Sequence, residues 1–149
     1  MGKLVPEAVV SDKRVQKFLN EIREACKSPG RFRQKIDVNV GHIAFRAAQT
    51  GADVRNAMDN ERIASMILNG TINDRHCRMG NPIELAFEGV FAELKAVVTD
   101  PVREVAFTNV PMRVVVRQGS SKHIVVTLYP LQPHDVDVTK LPEVPRHVW

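Results

Sequence analysis

The 149-residue chain predicts one α+β domain, with N-terminal helices packed on a C-terminal antiparallel β-sheet. Three observations carry that expectation. Apolar residues recur at helical spacing up to about Leu68, alternation with a period of two dominates after Arg103, and Gly119-Ser120-Ser121 separates the two cleanest alternating runs. The length suffices for a single core without staples.

The elements follow in order. Ser11 and Asp12 can cap a helix over about 12–27, with Val15, Phe18, Leu19, Ile22 and Cys26 on one side and Lys13, Lys17, Arg23 and Lys27 on the other. Pro29-Gly30 ends it, and Arg31-Phe32-Arg33-Gln34-Lys35 follows as a basic connector. Ile36, Val38 and Val40 alternate as a short strand or extended chain. Residues 42–49 read as a short helix closed by Thr50-Gly51, and residues 53–68 as another, broken near Asp59-Asn60 and stopped by Asn69-Gly70. Residues 71–81 read as irregular or as a poor first strand. From 83 to 98 the spacing of Leu85, Phe87, Phe91, Leu94 and Val98 favours a helix, although Gly89 and the β-branched pairs would suit strands. Pro101 breaks that segment, and a strand over 103–108 leads into a hairpin of residues 110–118 and 122–129. Beyond Pro130 the chain is extended, with Pro133, Pro142 and Pro145, and Trp149 either docks on the domain or serves a partner. This divides the chain into a basic segment 1–35, an α+β core 36–132 and a proline-rich tail 133–149.

Charge narrows the partners. The net charge is +4, but residues 1–36 hold nine Lys or Arg against four Asp or Glu, a local excess of +5. A basic face of this kind attracts polyanions such as RNA or DNA, or an acidic protein. Cys26 and Cys77 are too few for a disulfide framework, and His76-Cys77 lacks a second ligand pair, so neither a metal site nor a cofactor is expected. No apolar run approaches the length of a membrane span, and Met1-Gly2-Lys3-Leu4-Val5-Pro6 carries no hydrophobic leader.

Candidate site residues come from two places. Strict alternation in the last strand points Ile124, Val126 and Leu128 one way and His123, Val125, Thr127 and Tyr129 the other, so proton carriers and hydroxyls share a surface. Lys122 precedes them, and Arg113 and Arg117 lie on the neighbouring strand. His42 and Arg46 are four residues apart, which stacks an imidazole and a guanidinium on one helix face. Such a pair suits phosphodiester chemistry: the imidazole takes a proton from a hydroxyl, and the guanidinium holds the phosphate oxygens. The bland alternatives are a solvated sheet face, a packed structural His42 and a solvated Arg46.

A helix opening His42-x-x-x-Arg46, helical material ending in Asn69-Gly70, and a last strand carrying Val125-Val126-Thr127-Leu128-Tyr129 together resemble a known fold. It is the small nuclease-toxin fold of barnase, EndoU, the colicin-type ribonucleases and RelE-type ribonucleases, and above all the C-terminal toxin domains of contact-dependent and polymorphic bacterial toxins. The likeness covers about residues 40–130. It implies a metal-independent endoribonuclease that cuts tRNA or other RNA through the 2′-hydroxyl, leaving a 2′,3′-cyclic phosphate. It further implies a cognate acidic immunity protein, and action in the cytoplasm of a target or producing bacterial cell after delivery by secretion machinery. Matched to the motif, His42 is the helical histidine, Arg46 the helical basic residue, and Thr127 and Tyr129 the polar pair. Lys122 or His123 would complete the site. Arg113 and Arg117 have no counterpart in the motif, but with Lys122, Arg31 and Arg33 they are expected to hold the RNA backbone. Two other classes stand beside this expectation: a nucleic-acid-binding or phage-type adaptor module without catalysis, and a protein-interaction, immunity or assembly factor.

Overall fold

In the computed structural model, which describes residues 11–50, 53–99, 101–132, 134 and 136–149, the chain builds one helical layer on a five-stranded sheet. Asp12 accepts from the Arg14 backbone N–H at 2.8 Å and caps helix α1 (Lys13–Ala25), which buries Val15, Phe18, Leu19, Ile22 and Ala25. The basic segment after it is a helix rather than a connector. Ser28 caps α2 (Pro29–Lys35), proline occupies its first turn, and Phe32 is its buried residue. Strand β1 (Ile36–Val38) and helix α3 (Val40–Thr50) follow. The helix expected over 53–68 divides at Asp59, because that side chain caps a new helix, α4 (Asn60–Asn69), leaving Asp53–Ala57 as a 3-10 turn. Residues 71–81 contain strand β2 (Thr71–Ile72) and a 3-10 turn, Asp74–His76.

The segment expected to be helical over 83–98 is a strand. β3 (Glu84–Thr99) pairs along its length with β4 (Val102–Arg117), and β4 with β5 (His123–Pro130). The strand order is β1-β5-β4-β3-β2. β1 joins β5 in parallel while the other pairings are antiparallel, so the sheet is mixed rather than purely antiparallel.

Two breaks in side-chain alternation shape the sheet. On β3, Leu85, Phe87 and Phe91 face the helices, yet beyond Ala92 the buried residues are Leu94 and Ala96. Opposite that step on β4, Val110, Met112, Val114 and Val116 belong to the same core, and Asn109 has φ = 50°. The chain thus exchanges its two faces at Ala92 and Asn109, and the resulting three-residue step from Phe91 to Leu94 imitates a helix in sequence. The second break is a bulge between the pairs Val115↔Thr127 and Val116↔Val125, which leaves Val126 over.

The core lies between the helices and the sheet. Phe18, Phe32, Phe87, Phe91, Ile22, Ile63, Met66 and Ile67 are among its fully buried side chains, each contributing on the order of 2 kcal/mol by leaving water. At Gly89 a Cβ would stand 2.8 Å from Val144 Cγ1, so glycine lets the C-terminal segment approach the sheet. There Val144 donates its N–H to Val90 O at 2.8 Å, and Val90 returns one to Pro142 O at 2.9 Å. Trp149 docks on the domain: its Nε1–H donates to Cys26 O at 2.9 Å, and its ring meets Phe32 edge-on at 5.8 Å. Basic N-terminal segment and proline-rich tail therefore both contribute to the same core. Among the described residues, no helix is long and apolar enough to cross a membrane.

Candidate functional site

The bulge at Val126 separates side chains that strict alternation would place together. Val125 and Leu128 enter the core, and His123 turns with them toward α1, where its ring lies 4.9 Å from Phe18 in an edge contact. Thr127 and Tyr129 point to the opposite face, with Glu88 and Arg113. The shared surface of His123, Thr127 and Tyr129 expected from the sequence is thus not formed. An extra residue in a strand shifts every side chain beyond it by one face.

Around His123 a cleft of about 550 Å³ opens between α1, α2 and the β4–β5 turn. Glu21 and Glu24 line it from α1, Arg31, Gln34 and Lys35 from α2, and Ser120 and Ser121 from the turn. The turn is tight because a Cβ on Gly119 would fall 1.8 Å from Lys122 O. Gly119 donates its backbone N–H to His123 Nδ1 at 3.1 Å, and His123 Nε2 lies 3.1 Å from Glu21 Oε2. With Nδ1 accepting from Gly119, the ring's N–H lies at Nε2 and donates to Glu21. The histidine therefore orients a carboxylate that is about half exposed to the cleft. Arg31 Nη1 donates to Glu24 Oε1 at 2.8 Å, so an incoming anion competes with that carboxylate. Glu24, held by Lys27 and then Arg31, lies below the usual carboxylate range. Beside the cleft, Lys122 Nζ donates to Arg33 O at 2.9 Å and to Asp37 Oδ1 at 3.4 Å.

The opposite face carries a closed network. Glu88 Oε2 accepts from Arg113 Nε at 2.6 Å and Asn73 Nδ2 at 3.0 Å, with Arg113 Nη2 at 2.5 Å, while Arg113 Nη1 donates to Tyr129 OH at 2.6 Å. Burial opposes the Arg113 charge, but the hydrogen bonds to Tyr129 and Glu88 outweigh it and hold its pKa above the ordinary value. With Glu88 2% and Arg113 5% exposed, this guanidinium is committed to protein partners rather than offered to a phosphate. Arg117 Nε donates to Glu84 Oε2 at 2.6 Å nearer the sheet end. Thr127 is half-buried opposite Val115.

His42 and Arg46 are both exposed on α3. The His42 backbone N–H donates to Asn39 Oδ1 at 3.2 Å. The charge of Arg46, after burial, lowers the pKa of Arg55, whose Nε donates to Leu128 O at 3.1 Å. Of the residues the sequence singles out, the structure joins Arg113 to Tyr129, gathers Arg31 and His123 in one cleft, and sets Lys122 against Arg33. Sequence reasoning placed Lys35 in the basic connector but missed Glu21, Ser120 and Ser121, and on the other face Glu88 and Asn73. The available signal for Glu21 was its position one turn after Phe18 on the exposed side of a confidently periodic helix. Glu88 carried none while β3 was read with a helical period. Among the described residues, no group of three His, Cys, Asp or Glu gathers as a metal cage.

No family model, curated protein or solved structure matches the chain.

Proposed function

We propose that the domain binds RNA at the α1–α2 cleft and cuts it as a metal-independent endoribonuclease, using the RNA's own 2′-hydroxyl as nucleophile. One observation carries this reading: a concave site brings an oriented His123–Glu21 pair, two serine hydroxyls and the cations Arg31 and Lys35 together. In it Glu21, held by His123 Nε2–H, takes the proton of the 2′-hydroxyl as that oxygen attacks the adjacent phosphorus; the P–O5′ bond breaks, leaving a 2′,3′-cyclic phosphate, and the departing 5′-oxygen takes a proton from water or from the protonated Glu21. Arg31 and Lys35 stabilise the charge gathering on the non-bridging oxygens, and Ser120 and Ser121 donate hydrogen bonds to them. If the chain acts as a toxin, an acidic immunity protein would present carboxylates to the same cleft.

The test is incubation with total tRNA in EDTA. Cleavage should survive chelation, disappear in Glu21→Gln and fall in His123→Ala, while His42→Ala and Tyr129→Phe retain it. Loss in His42→Ala with the cleft variants active would move the chemistry to α3. The absence of RNA cutting, with or without divalent metal, overturns the catalytic reading.

A second reading, RNA binding without cleavage, is favoured by the occupation of both His123 ring nitrogens, one by Gly119 and one by Glu21. It is the outcome if RNA is retained intact in a salt-dependent complex.

A further inference from the structure

A second, smaller cleft of about 310 Å³ is lined by Arg14, Lys17, Gly80, Asn81, Ile83 and Gln118. The two clefts are built on successive turns of one helix, with Arg14 and Lys17 in one and Glu21 and Glu24 in the other. They also meet at consecutive residues of one turn, Gln118 in the smaller and Gly119 in the larger. The Gln118 N–H is fixed to Ile83 O at 2.8 Å, and Arg14 Nη2 donates to Met79 O at 3.2 Å, so the walls of the smaller cleft are tied to one another through the segment that precedes β3. From Lys17 to Glu24 the helix rises about 10 Å, a distance for consecutive nucleotides rather than for one. Both clefts lie within the range of about 300–1,000 Å³ of pockets for small ligands, the scale of single nucleotide units. Each cleft carries cations, Arg14 and Lys17 in the smaller and Arg31 and Lys35 in the larger.

We propose that the smaller cleft is a second nucleotide subsite, in which Arg14 and Lys17 bind backbone phosphates of a single RNA strand whose neighbouring nucleotides occupy the larger cleft. This rests on the proposed RNA reading in taking RNA as the ligand, but not on cleavage. Gln118 and Asn81 supply donors and acceptors to the nucleotide that lies between the phosphates. Short RNA would reach one cleft alone; longer RNA gains the second set of charges.

The probe is a fluorescein-labelled 2′-O-methyl oligouridine, which cannot be cut at its 2′-oxygen, about eight or about three nucleotides long, titrated by anisotropy at several salt concentrations. Lys17→Ala should weaken the longer probe several-fold and reduce its log Kd against log salt slope by about 0.7, the value of one lost single-strand phosphate contact. Binding of the shorter probe should not change. Arg14→Ala should act in the same sense, and because it also removes the contact to Met79, the exposed Lys17 decides the matter, with equal thermal midpoints for Lys17→Ala and the parent as the control. Lys17→Arg should restore the slope. If Lys17→Ala leaves the long probe unaffected, or weakens both probes equally, while Arg31→Ala and Lys35→Ala weaken both, the second subsite is refuted and the RNA reading stands. If no variant at either cleft changes binding, the RNA reading falls with it.

Discussion

Glu88 and Arg113 face each other directly across β3 and β4, and Arg113 faces Tyr129 across β4 and β5, so one buried guanidinium pins the register of three strands. Taking both charges out of water costs about as much as their attraction returns, so the pair specifies the alignment more than it adds stability. Removing one member is another matter. Arg113→Met strands the Glu88 carboxylate with Asn73 alone and should cost about 3–5 kcal/mol in urea unfolding. Glu88→Leu combined with Arg113→Met should recover most of that loss, and simple addition of the two single effects would refute the register role. Tyr129→Phe, which deletes one hydrogen bond to a charge at a half-buried position, should cost about 1.5–3 kcal/mol. Cys26 shows burial prevailing over a neighbouring charge. Desolvation, only partly opposed by Arg23, pushes the thiol up to about 12, so alkylation near neutral pH should modify it only in unfolded protein.

At the level of elements, the helices were legible because their signals are local. Asp12 and Asp59 each accept from the first turn they cap, and the apolar stripe of α1 is the buried side; α2 is the exception, since Pro29-Gly30 read as a stop although Ser28 caps a new helix there. Asp59→Ala should therefore cost about 1 kcal/mol, read as a lower thermal midpoint without loss of cooperativity. The 110–118 and 122–129 hairpin was legible from its turn and period. β3 was not, for two physical reasons: Ala86, Glu88 and Val90 are buried on the face away from the helices, so apolar and polar residues do not sort cleanly, and the exchange of faces at Ala92 and Asn109 inserts a three-residue step. The bulge at Val126 hid the surroundings of His123 in the same way, since only pairing with β4 fixes where the extra residue falls. That is also why the larger cleft was half visible: Arg31 and His123 could be named, but not that His123 meets Glu21 in the same cleft. Asn109 tests the face exchange itself. At φ = 50° an asparagine is tolerated, whereas Asn109→Val should destabilise by about 1–2 kcal/mol and Asn109→Gly should be near neutral. Equal melting of the two variants would mean that the left-handed turn is not what joins the two halves of the hairpin.

Across the whole molecule, the C-terminal segment acts as a strap that no short-range pattern announces. It pairs with β3 at Val90, receives the Ser65 hydroxyl at Pro145 O, joins Glu93 through Arg146 at 2.8 Å, and ends against α1 and α2 through Trp149. Glu61 of α4 anchors its last turn by accepting from the Val148 and Trp149 N–H groups at 2.9 and 3.0 Å. The Trp149 N–H, ahead of the opposing effect of burial and with help from Val148 and His147, holds the Glu61 carboxyl below the usual carboxylate range. A carboxyl depressed on folding stabilises the native state above its unfolded pKa, and that contribution is lost as pH falls through the lower folded value. The strap should therefore hold at neutral pH and loosen only in acid, below a pH of about 4. Trp149 is the sole tryptophan, so its fluorescence reports this directly. Emission should stay constant from neutral pH down to the carboxylate range and then shift to longer wavelength, before the far-ultraviolet signal of the helices changes. Glu61→Gln should weaken the anchor at neutral pH and flatten that acid step, because the group that titrates is gone. Identical emission profiles for the variant and the parent would show that the strap is held by Phe32, Val144 and the sheet edge alone, with Glu61 only satisfying two backbone donors.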